Sequence, residues 1–390
     1  GGAIVTTDCR VVPATDLHWM RRALDLAASV RGRVAPNPAV GAVLVRDGRL
    51  VGEGATEPPP GAHAEIVALR QAGALARGAT LYVTLEPCAH YGRTPPCVDA
   101  LMTAGIARAV VALRDPYPAV NGRGLRRLAE AGVQVELGLA AGAAAAINAG
   151  FLKRVHCGLP EVTAKFAVSL DGKIATRTGH ARWITGAEAR REGHRLRDMH
   201  DAIMVGVGTL LADDPLLTTR LPPEDCGAGG PHHPLRVVVD SRARTPPGAA
   251  MLQPHVPGRT LIATTGSAPP ERVAALHAVG AEVVTLPDQG GRVDLHALLR
   301  CLAARGVNSV LVEGGGTLLG ALFDAGLIDR AAAFIAPIMI GGRDAPGPLG
   351  GEGVATMDAA CRLREVEVRQ VGSDLMVQGR VQPIPGLEEV

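Results

Sequence analysis

The sequence is poor in aromatic residues and carries almost no net charge. Phenylalanine, tryptophan and tyrosine make up 2% of the 390 residues, and the formal net charge at pH 7 is +2. Proteins that bind nucleic acids usually offer a basic field for the phosphates and aromatic rings on which bases stack. The composition therefore predicts that this chain does not bind nucleic acid.

Long apolar runs and a dense cysteine framework are missing too. No stretch of about 18 uninterrupted apolar residues is present, and the first residues show no basic segment followed by an apolar one. The seven cysteines form an odd, scattered set, which is typical of a reducing compartment. We therefore expect a cytoplasmic protein without disulfides and without a membrane partner.

The length and the apolar pattern predict two α/β domains, because 390 residues exceed what one hydrophobic core usually supports. Residues 1–15 lack periodicity and are predicted to form an irregular leader. A helical pattern then starts at Asp16, which we expect to cap that helix. A hairpin with an Asp47-Gly48 turn follows, and helices and strands alternate up to an alanine-rich helical stretch. The predicted domains are residues 16–157 and 158–390.

Four residues of the first domain suggest a metal site. His63 and Glu65 stand at the predicted start of a helix, and Cys88 and Cys97 lie in TLEPCAHYGRTPPC. The two thiols fit a disulfide, ordinary buried side chains or metal ligands. One imidazole and two thiolates would leave the fourth tetrahedral position of a zinc ion open, as catalytic zinc requires. A His-x-Glu pair followed by Pro-Cys and a second Cys is the known signature of zinc deaminases, although here eight residues separate the cysteines.

In the zinc interpretation, the metal supplies hydroxide at neutral pH and Glu65 carries a proton from the water to a departing amine. Two other interpretations stay open. One is a deaminase that edits nucleic acids, which the low charge and few aromatic residues disfavour. The other is a structural zinc site, which would normally have four protein ligands.

The second domain contains features suited to phosphate groups. SVLVEGGGTLLGALFDAG predicts a buried strand, a glycine turn and a helix, and such a turn is either a nucleotide-binding feature or a simple connection. Arg197 and Arg220 suit a terminal phosphate because each guanidinium donates in a forked geometry; otherwise they are solvated surface charges.

Motifs along most of the chain resemble the bacterial bifunctional riboflavin-biosynthesis deaminase/reductase family. In order, they are APNPAVGAVLV, HAE, TLEPCAHYGRTPPC, KFAVSLDGKIA, WITG, LADDPLLTTR and VEGGGTLLGAL, and the match runs from about Asp16 to Val377. The resemblance implies an N-terminal cytidine-deaminase-like three-layer α/β/α domain. It also implies a C-terminal dihydrofolate-reductase-like α/β domain.

The resemblance also implies roles for individual residues of the first domain. His63, Cys88 and Cys97 would bind one Zn²⁺, and Glu65 would be the catalytic proton carrier. Contacts to the deaminase substrate would come from Asn37, His90 and Arg93, although His90 fits a zinc ligand or a surface histidine as well.

In the second domain, the resemblance implies an NADPH site and a neighbouring substrate site. The cofactor would contact Ala167, Trp183, Thr209, Asp213, Ser241, Gly315, Gly316, Thr317, Leu318, Leu319, Gly320 and Ala321. The substrate would contact Ala181, Arg197, Leu217, Arg220 and Glu313, with both arginines on the ribose phosphate. Family members often have a serine where this chain has Ala181, so a contact there would be through the backbone. Lys165 and Asp171 are further polar candidates that are equally compatible with structural roles.

The predicted function is therefore a pair of consecutive reactions on small phosphorylated pyrimidines. The first is hydrolytic deamination of 2,5-diamino-6-(5-phosphoribosylamino)pyrimidin-4(3H)-one. In the second, NADPH reduces the ribosyl group of 5-amino-6-(5-phosphoribosylamino)uracil to ribityl. We also expect a homo-oligomer that forms through the reductase domain.

Overall fold

The computed structural model describes residues 14–91 and 95–386. The chain divides into two compact units, of which the first contains the residues up to Cys157 and the chain from Ile384, and the second is Gly158–Pro383. The predicted second domain included everything from residue 158 to 390. Ile384 instead lies in the core of the first unit because its apolar side chain is buried there. In the described part of the chain, every helix is too short or too polar to cross a membrane.

The first unit is built around a five-stranded mixed sheet. Its elements are α1 (Ala14–Ser29), β1 (Gly41–Arg46), β2 (Arg49–Ala55), α2 (Ala64–Ala72), β3 (Thr80–Val83), α3 (Cys97–Ala104), β4 (Arg108–Val111), α4 (Arg123–Glu130), β5 (Gln134–Leu137), α5 (Ala141–Ile147) and α6 (Ala149–Cys157). The strand order is β2-β1-β3-β4-β5. β1 is antiparallel to both β2 and β3, whereas β3, β4 and β5 are parallel.

Two glycines show that helices cover both faces of this sheet. A Cβ on Gly41 of β1 would meet the backbone of Ala23 in α1, and one on Gly52 of β2 would meet the backbone of Ala68 in α2. Gly52 pairs with Leu44, which is three residues from Gly41 and so points to the other face. α1 and α2 therefore pack on opposite faces and form the predicted three-layer arrangement.

The predicted start of the first helix is wrong. α1 begins at Ala14, so Asp16 lies in its first turn rather than at the cap. The Asp16 carboxylate instead accepts hydrogen bonds from the Tyr82 hydroxyl at 2.6 Å and from both Arg108 amino groups at 3.0 and 2.7 Å. These bonds tie α1 to β3 and β4. The rest of the predicted leader, residues 1–13, lies outside the described part of the chain.

The second unit contains a nine-stranded sheet and a short ribbon. Its elements are β6 (Glu161–Ser169), α7 (Ala187–Asp198), β7 (Ala202–Gly206), α8 (Val207–Asp213), β8 (Leu235–Val239), β9 (Thr260–Thr265), α9 (Pro270–Ala278), β10 (Glu282–Leu286), β11 (Asp288–Gln289), β12 (Arg292–Val293), α10 (Leu295–Ala304), β13 (Ser309–Glu313), α11 (Gly316–Asp324), β14 (Arg330–Ala336), β15 (Arg364–Val371) and β16 (Asp374–Arg380). The order is β10-β9-β8-β7-β13-β6-β14-β16-β15, and β11 pairs with β12.

Across the sheet, seven neighbouring strands run parallel, in the order β10, β9, β8, β7, β13, β6 and β14. β16 pairs antiparallel with β14, and β15 pairs antiparallel with β16. In the central strand β13, Val310 and Val312 pack into one apolar cluster and Leu311 packs into another on the opposite face. Both faces are covered there, which explains the continuous apolar run. Glu313 ends this strand and lies at the carboxyl edge of the sheet, where open α/β sheets bind ligands.

Candidate active sites of the two units

The predicted metal ligands of the first unit come from the starts of two helices and from one irregular segment. His63 directly precedes α2, Cys97 is the first residue of α3, and Cys88 lies in the irregular segment between β3 and α3. The backbone N–H of Cys97 donates to the Cys88 sulfur at 3.3 Å. Prolines before both cysteines restrict the backbone that leads to each thiol.

The ligand atoms of His63, Cys88 and Cys97 lie within 4.8 Å of one another. His63 Nδ1 is 3.3 Å from the Cys97 sulfur and 3.6 Å from the Cys88 sulfur. Both cysteines are free thiols, which excludes the disulfide interpretation. Within the described residues the group has these three members, so a tetrahedral metal would keep one position open.

Electrostatic interactions inside the group favour charge separation even without a metal. Hydrogen bonding to Cys97 lowers the pKa of the Cys88 thiol to about 4, and hydrogen bonding to Cys88 raises the pKa of His63 to about 9. The same contact with Cys88, together with burial, raises the pKa of Cys97. Cys88 is therefore the thiol that is already disposed to be a thiolate.

Glu65 lies in the first turn of α2 and is 4% exposed. Burial raises its pKa to about 7, although the attraction of His63 and a hydrogen bond with Cys97 act in the opposite direction. These interactions place the carboxyl group beside the three ligands. The sequence pattern thus predicted correctly that His63 and Glu65 stand at the start of a helix and face one site.

The three predicted substrate contacts of the first unit have different outcomes. Asn37 lies in the bend before β1, with its backbone N–H donating to the Val34 carbonyl at 2.9 Å. The His90 ring contacts the Tyr117 ring with 5.9 Å between centroids, and the buried His90 Nδ1 has no protein partner among the described residues. An unpartnered buried nitrogen suits a substrate contact. Arg93 lies outside the described residues.

Glu86 is a buried residue of the first site for which the sequence analysis proposed no role. Its carboxylate accepts backbone N–H groups from Gly122 and Gly124 at 2.9 Å and from Asp115 and Leu125 at 3.3 Å. Glu86 is two residues before Cys88 in the chain. Its hydrogen bonds therefore hold the segment that leads into α4 close to the chain beside that cysteine. The same segment carries Tyr117, the ring partner of His90.

A charged group lies at the carboxyl edge of the second unit's sheet. Glu313 ends β13 and accepts two hydrogen bonds from Arg197, at 2.7 and 2.9 Å. Lys165 pairs with Glu313 in the β-sheet register, and its amino group lies 3.5 Å from the carboxylate. The attraction of Arg197 and Lys165 lowers the pKa of Glu313 despite its burial. Arg197 is thus paired with a carboxylate rather than being a solvated charge.

Arg220 lies beside this group and adds a further positive charge. Its Nη1 donates to the Thr218 hydroxyl at 3.1 Å, and Arg197 Nη1 donates to the Thr218 carbonyl at 3.1 Å. Burial and the repulsion of Arg197 lower the pKa of Arg220. With Lys165, Arg197 and Arg220 against one carboxylate, the group carries excess positive charge that suits a phosphate.

The predicted glycine turn connects β13 to α11. The Gly315 N–H donates to the Thr209 hydroxyl at 3.0 Å, so two predicted cofactor contacts are neighbours. Gly316 and Gly320, however, are needed for packing within the chain: a Cβ would lie 2.7 Å from the Gly347 carbonyl oxygen and 2.1 Å from that of Gly350, respectively. These two glycines admit a neighbouring segment of the same chain.

Several predicted contacts are limited to backbone atoms. The side chains of Leu318 and Leu319 lie in one apolar cluster, and that of Leu217 lies in another. Any contact with cofactor or substrate would therefore come from their amides or carbonyls. Thr317 and Ala321 lie in the same helix as Leu318 and Leu319, α11.

Trp183 and Asp213 are joined through Arg182. Arg182 donates to the Asp213 carbonyl at 2.8 Å, and the Trp183 ring, which is 69% exposed, is covered on one face by Arg190 at 4.4 Å. Ala181, two residues before Trp183, is exposed. The exposed indole leaves one ring face free of Arg190, which suits a cofactor contact.

The remaining candidates lie on the same unit. Ala167 belongs to β6, and the Ser241 hydroxyl after β8 accepts the Val293 N–H at 3.1 Å. Asp171 accepts the backbone N–H groups of Ile340 and Gly341 at 3.0 and 2.7 Å, which is a structural role.

Two family models match the chain. Residues 13–113 match the cytidine and deoxycytidylate deaminase zinc-binding region, and residues 160–377, more than half of the chain, match the RibD C-terminal domain. Among curated proteins, riboflavin biosynthesis protein RibD of Escherichia coli K12 is 43% identical over 369 residues, covering 92% of this chain and 98% of that protein. RibD of Mycobacterium tuberculosis H37Rv is 42% identical over 360 residues, covering 92% and 95%.

Solved structures give the same result. Acinetobacter baumannii RibD has a TM-score of 0.84 at 36% identity and covers 94% of this chain and 99% of its own. A Thermotoga maritima protein has a TM-score of 0.81 at 32% identity, with coverages of 94% and 98%. It is described as a diaminohydroxyphosphoribosylaminopyrimidine deaminase/5-amino-6-(5-phosphoribosylamino)uracil reductase. The predicted fold class and the predicted pairing of deaminase and reductase are confirmed, and the chain belongs to the RibD family of bifunctional riboflavin biosynthesis enzymes.

Proposed function

We propose that the first unit deaminates diaminohydroxyphosphoribosylaminopyrimidine and that the second reduces 5-amino-6-(5-phosphoribosylamino)uracil with NADPH. The Thermotoga maritima relative, whose structure aligns along nearly its whole length, is described with both activities. The observation that carries the proposal is the convergence of His63, Cys88 and Cys97 beside the buried carboxyl of Glu65.

The donor set of the first unit fits zinc. One imidazole and two thiols are zinc ligands, and the three ligand atoms lie close enough to share one ion. A zinc ion held by His63, Cys88 and Cys97 would lower the pKa of a water molecule to about 7 and so provide a nucleophile at neutral pH.

Glu65 performs the proton transfers in this proposal. Its carboxylate takes a proton from the attacking water and delivers it to the exocyclic nitrogen, which leaves as ammonia while the ring carbon gains oxygen. Burial at 4% exposure keeps this carboxyl out of bulk water. Asn37, His90 and Arg93 would hold the substrate. His90 Nδ1 has no protein partner among the described residues, which supports that role for His90.

The carboxyl edge of the second sheet fits a dinucleotide. Thr209 and Gly315 meet at the start of α11, where backbone N–H groups and the helix dipole favour a phosphate. NADPH bound there would supply the hydride. The chain would hold it through Ala167, Trp183, Thr209, Asp213, Ser241 and the segment 315–321, while Arg197 and Arg220 would bind the substrate phosphate near Glu313. A reaction that consumes NADPH and needs reduced thiols fits the cytoplasm.

We also propose that the second unit forms a homo-oligomer through β15 and β16. Val366, Val368 and Leu375 are 52%, 59% and 45% exposed, whereas Met376 on the other face of β16 is buried. The register places Val368 beside Val377 and so on the same face as Leu375. An open antiparallel face is usually polar, so this apolar one supports cover by a second copy of the chain.

The deaminase proposal is tested with Glu65→Gln in the full chain, alongside Glu130→Gln at an exposed position of α4 as a control. We expect Glu65→Gln to lower ammonia release by about 100-fold or more while zinc content stays at one ion per chain. NADPH oxidation on supplied 5-amino-6-(5-phosphoribosylamino)uracil should not change.

Full ammonia release by Glu65→Gln, or a wild-type protein without zinc, would contradict the deaminase assignment. Absence of NADPH oxidation by the wild-type protein would contradict the reductase assignment. The two activities are measured in one preparation, so each serves as the folding control for the other.

A further inference from the structure

His194 lies in the charged group of the second unit and has no role in the proposal above. It stands in α7, three residues before Arg197, so both side chains lie on one face of the helix. The preceding residue, Gly193, faces Lys165, since a Cβ on Gly193 would lie 3.7 Å from the Lys165 amino group. This part of α7 therefore faces the carboxyl edge of β6 and β13.

The imidazole binds the segment that carries Arg220. His194 Nδ1 accepts the backbone N–H of Arg220 at 3.3 Å. Arg197 holds the same segment through the Thr218 carbonyl, and Arg220 turns back to the Thr218 hydroxyl, each at 3.1 Å. His194 and Arg197 thus fix the segment from one helix face, and this places the two guanidinium groups together.

The charge of His194 follows from this geometry. A ring nitrogen that accepts a hydrogen bond cannot carry a proton, so the imidazole is neutral in this arrangement. Burial lowers its pKa to about 4, and the positive charges of Arg197, Arg220 and Lys165 act in the same direction against the attraction of Glu313. A neutral acceptor at this position adds no further positive charge to a group that already has three cations.

We propose that His194 is a positioning residue for the reductase substrate: its Nδ1 holds the Arg220 backbone so that the Arg220 and Arg197 guanidinium groups meet the phosphate of the substrate together. The proposal rests on the proposed function, because it assumes that this group receives the phosphate. His194 acts through Arg220 and need not touch the reacting atoms.

Three substitutions separate the possible roles of the ring. In His194→Asn the amide oxygen takes about the place of Nδ1 and can still accept the Arg220 N–H. His194→Gln places its amide near Nε2 instead, and His194→Phe keeps the ring shape without either nitrogen. His277→Phe, at an exposed position of α9, is the matched control.

Steady-state NADPH oxidation with the phosphorylated substrate is the main measurement on the full chain. Loss of one well-placed hydrogen bond is worth about 1.4 kcal/mol or tenfold. We therefore expect His194→Phe and His194→Gln to raise KM about tenfold with kcat within about twofold, whereas His194→Asn should stay near wild type. Hydrogen exchange of the Arg220 amide should be faster in His194→Phe and His194→Gln than in His194→Asn.

Other outcomes overturn the proposal. An unchanged KM in His194→Phe would show that the contact does not position the substrate. Equal impairment of His194→Asn and His194→Phe, or wild-type behaviour of His194→Gln, would assign the role to Nε2 or to packing. If the wild-type protein oxidises NADPH and all variants match it, this inference fails while the proposed function stands. If the wild-type protein had no reductase activity, both this inference and the proposed reductase function would be wrong.

Discussion

Glu86 shows at the scale of one residue how the deaminase site is supported. Its buried carboxylate accepts four backbone N–H groups from the segment 115–125. A carboxylate suits this position because both of its oxygens accept hydrogen bonds. Glu86 therefore connects the chain beside Cys88 to the start of α4.

Glu86→Gln should destabilise the first unit selectively. The amide NH₂ would replace one acceptor oxygen and leave two buried N–H groups without a partner, at a cost of about 2 kcal/mol. For a unit of this size that cost lowers the midpoint by about 4–8 °C. Heat inactivation of ammonia release should therefore occur at a lower temperature, while heat inactivation of NADPH oxidation should not change.

The control for this experiment is again Glu130→Gln, at an exposed position of the same unit. An unchanged inactivation temperature in Glu86→Gln would mean that water replaces the lost acceptor. A parallel loss of both activities would mean that the effect is not confined to the first unit.

The site residues that the sequence predicted differ from those that it missed in the kind of contact that they make. His63, Glu65, Cys88 and Cys97 were predictable because their side-chain chemistry and spacing are typical of one kind of site. Glu86 and His194 act by accepting backbone N–H groups between 26 and 39 residues away. Every residue except proline can donate a backbone N–H, so no side-chain pattern indicates such a bond.

At the scale of elements, α11 shows a use for glycine that the sequence analysis did not predict. The glycine turn itself forms as predicted, between β13 and α11. Gly316 and Gly320, however, lie one turn apart on the helix and contact the backbone of the segment 347–350, and the Gly350 N–H donates to the Gly316 carbonyl at 2.8 Å. That partner is about thirty residues further along, so the sequence near the turn does not indicate it.

Gly320→Ala should displace this segment from α11. The added methyl group would lie 2.1 Å from the Gly350 carbonyl oxygen, so the backbone has to move. Overpacking of this kind costs about 1–3 kcal/mol, and we expect weaker NADPH binding because α11 carries the predicted cofactor contacts. Titration calorimetry with NADPH and a thermal melt of the full chain measure the two effects.

Gly208→Ala is the matched control, since Gly208 lies in α8 of the same unit and a Cβ added there would have no neighbouring atom within 4 Å. Alanine is the better helix former there, and stability should be equal or slightly higher. If Gly320→Ala had the NADPH affinity and the melting temperature of the wild-type protein, the segment 347–350 would be able to move without loss of binding or stability.

At the scale of the whole molecule, the strands of the parallel part up to β13 were predictable, whereas β14, β15 and β16 were not predicted. The apolar runs of β7 and β13 are continuous, as expected for strands covered on both faces. For β15, the alternation in REVEVRQV is a period-two signal that could have been used. The pairing of β14 with β6 joins residues 167 positions apart, such as Arg330 and Thr163, which local periodicity does not specify.

That alternation has a consequence for assembly, because it places Val366 and Val368 on the exposed face of the sheet. Val368→Lys should reduce oligomer formation, since a charge replaces an apolar side chain that a second copy would cover. At 59% exposure Val368 contributes little to the core, so the unit should fold and keep NADPH binding. Light scattering after size exclusion should show a smaller species than wild type at equal concentration. Val279→Lys, at a partly exposed position after α9, should not change the size. A monomeric wild-type protein, or a Val368→Lys variant of unchanged mass, would show that this face is not the interface.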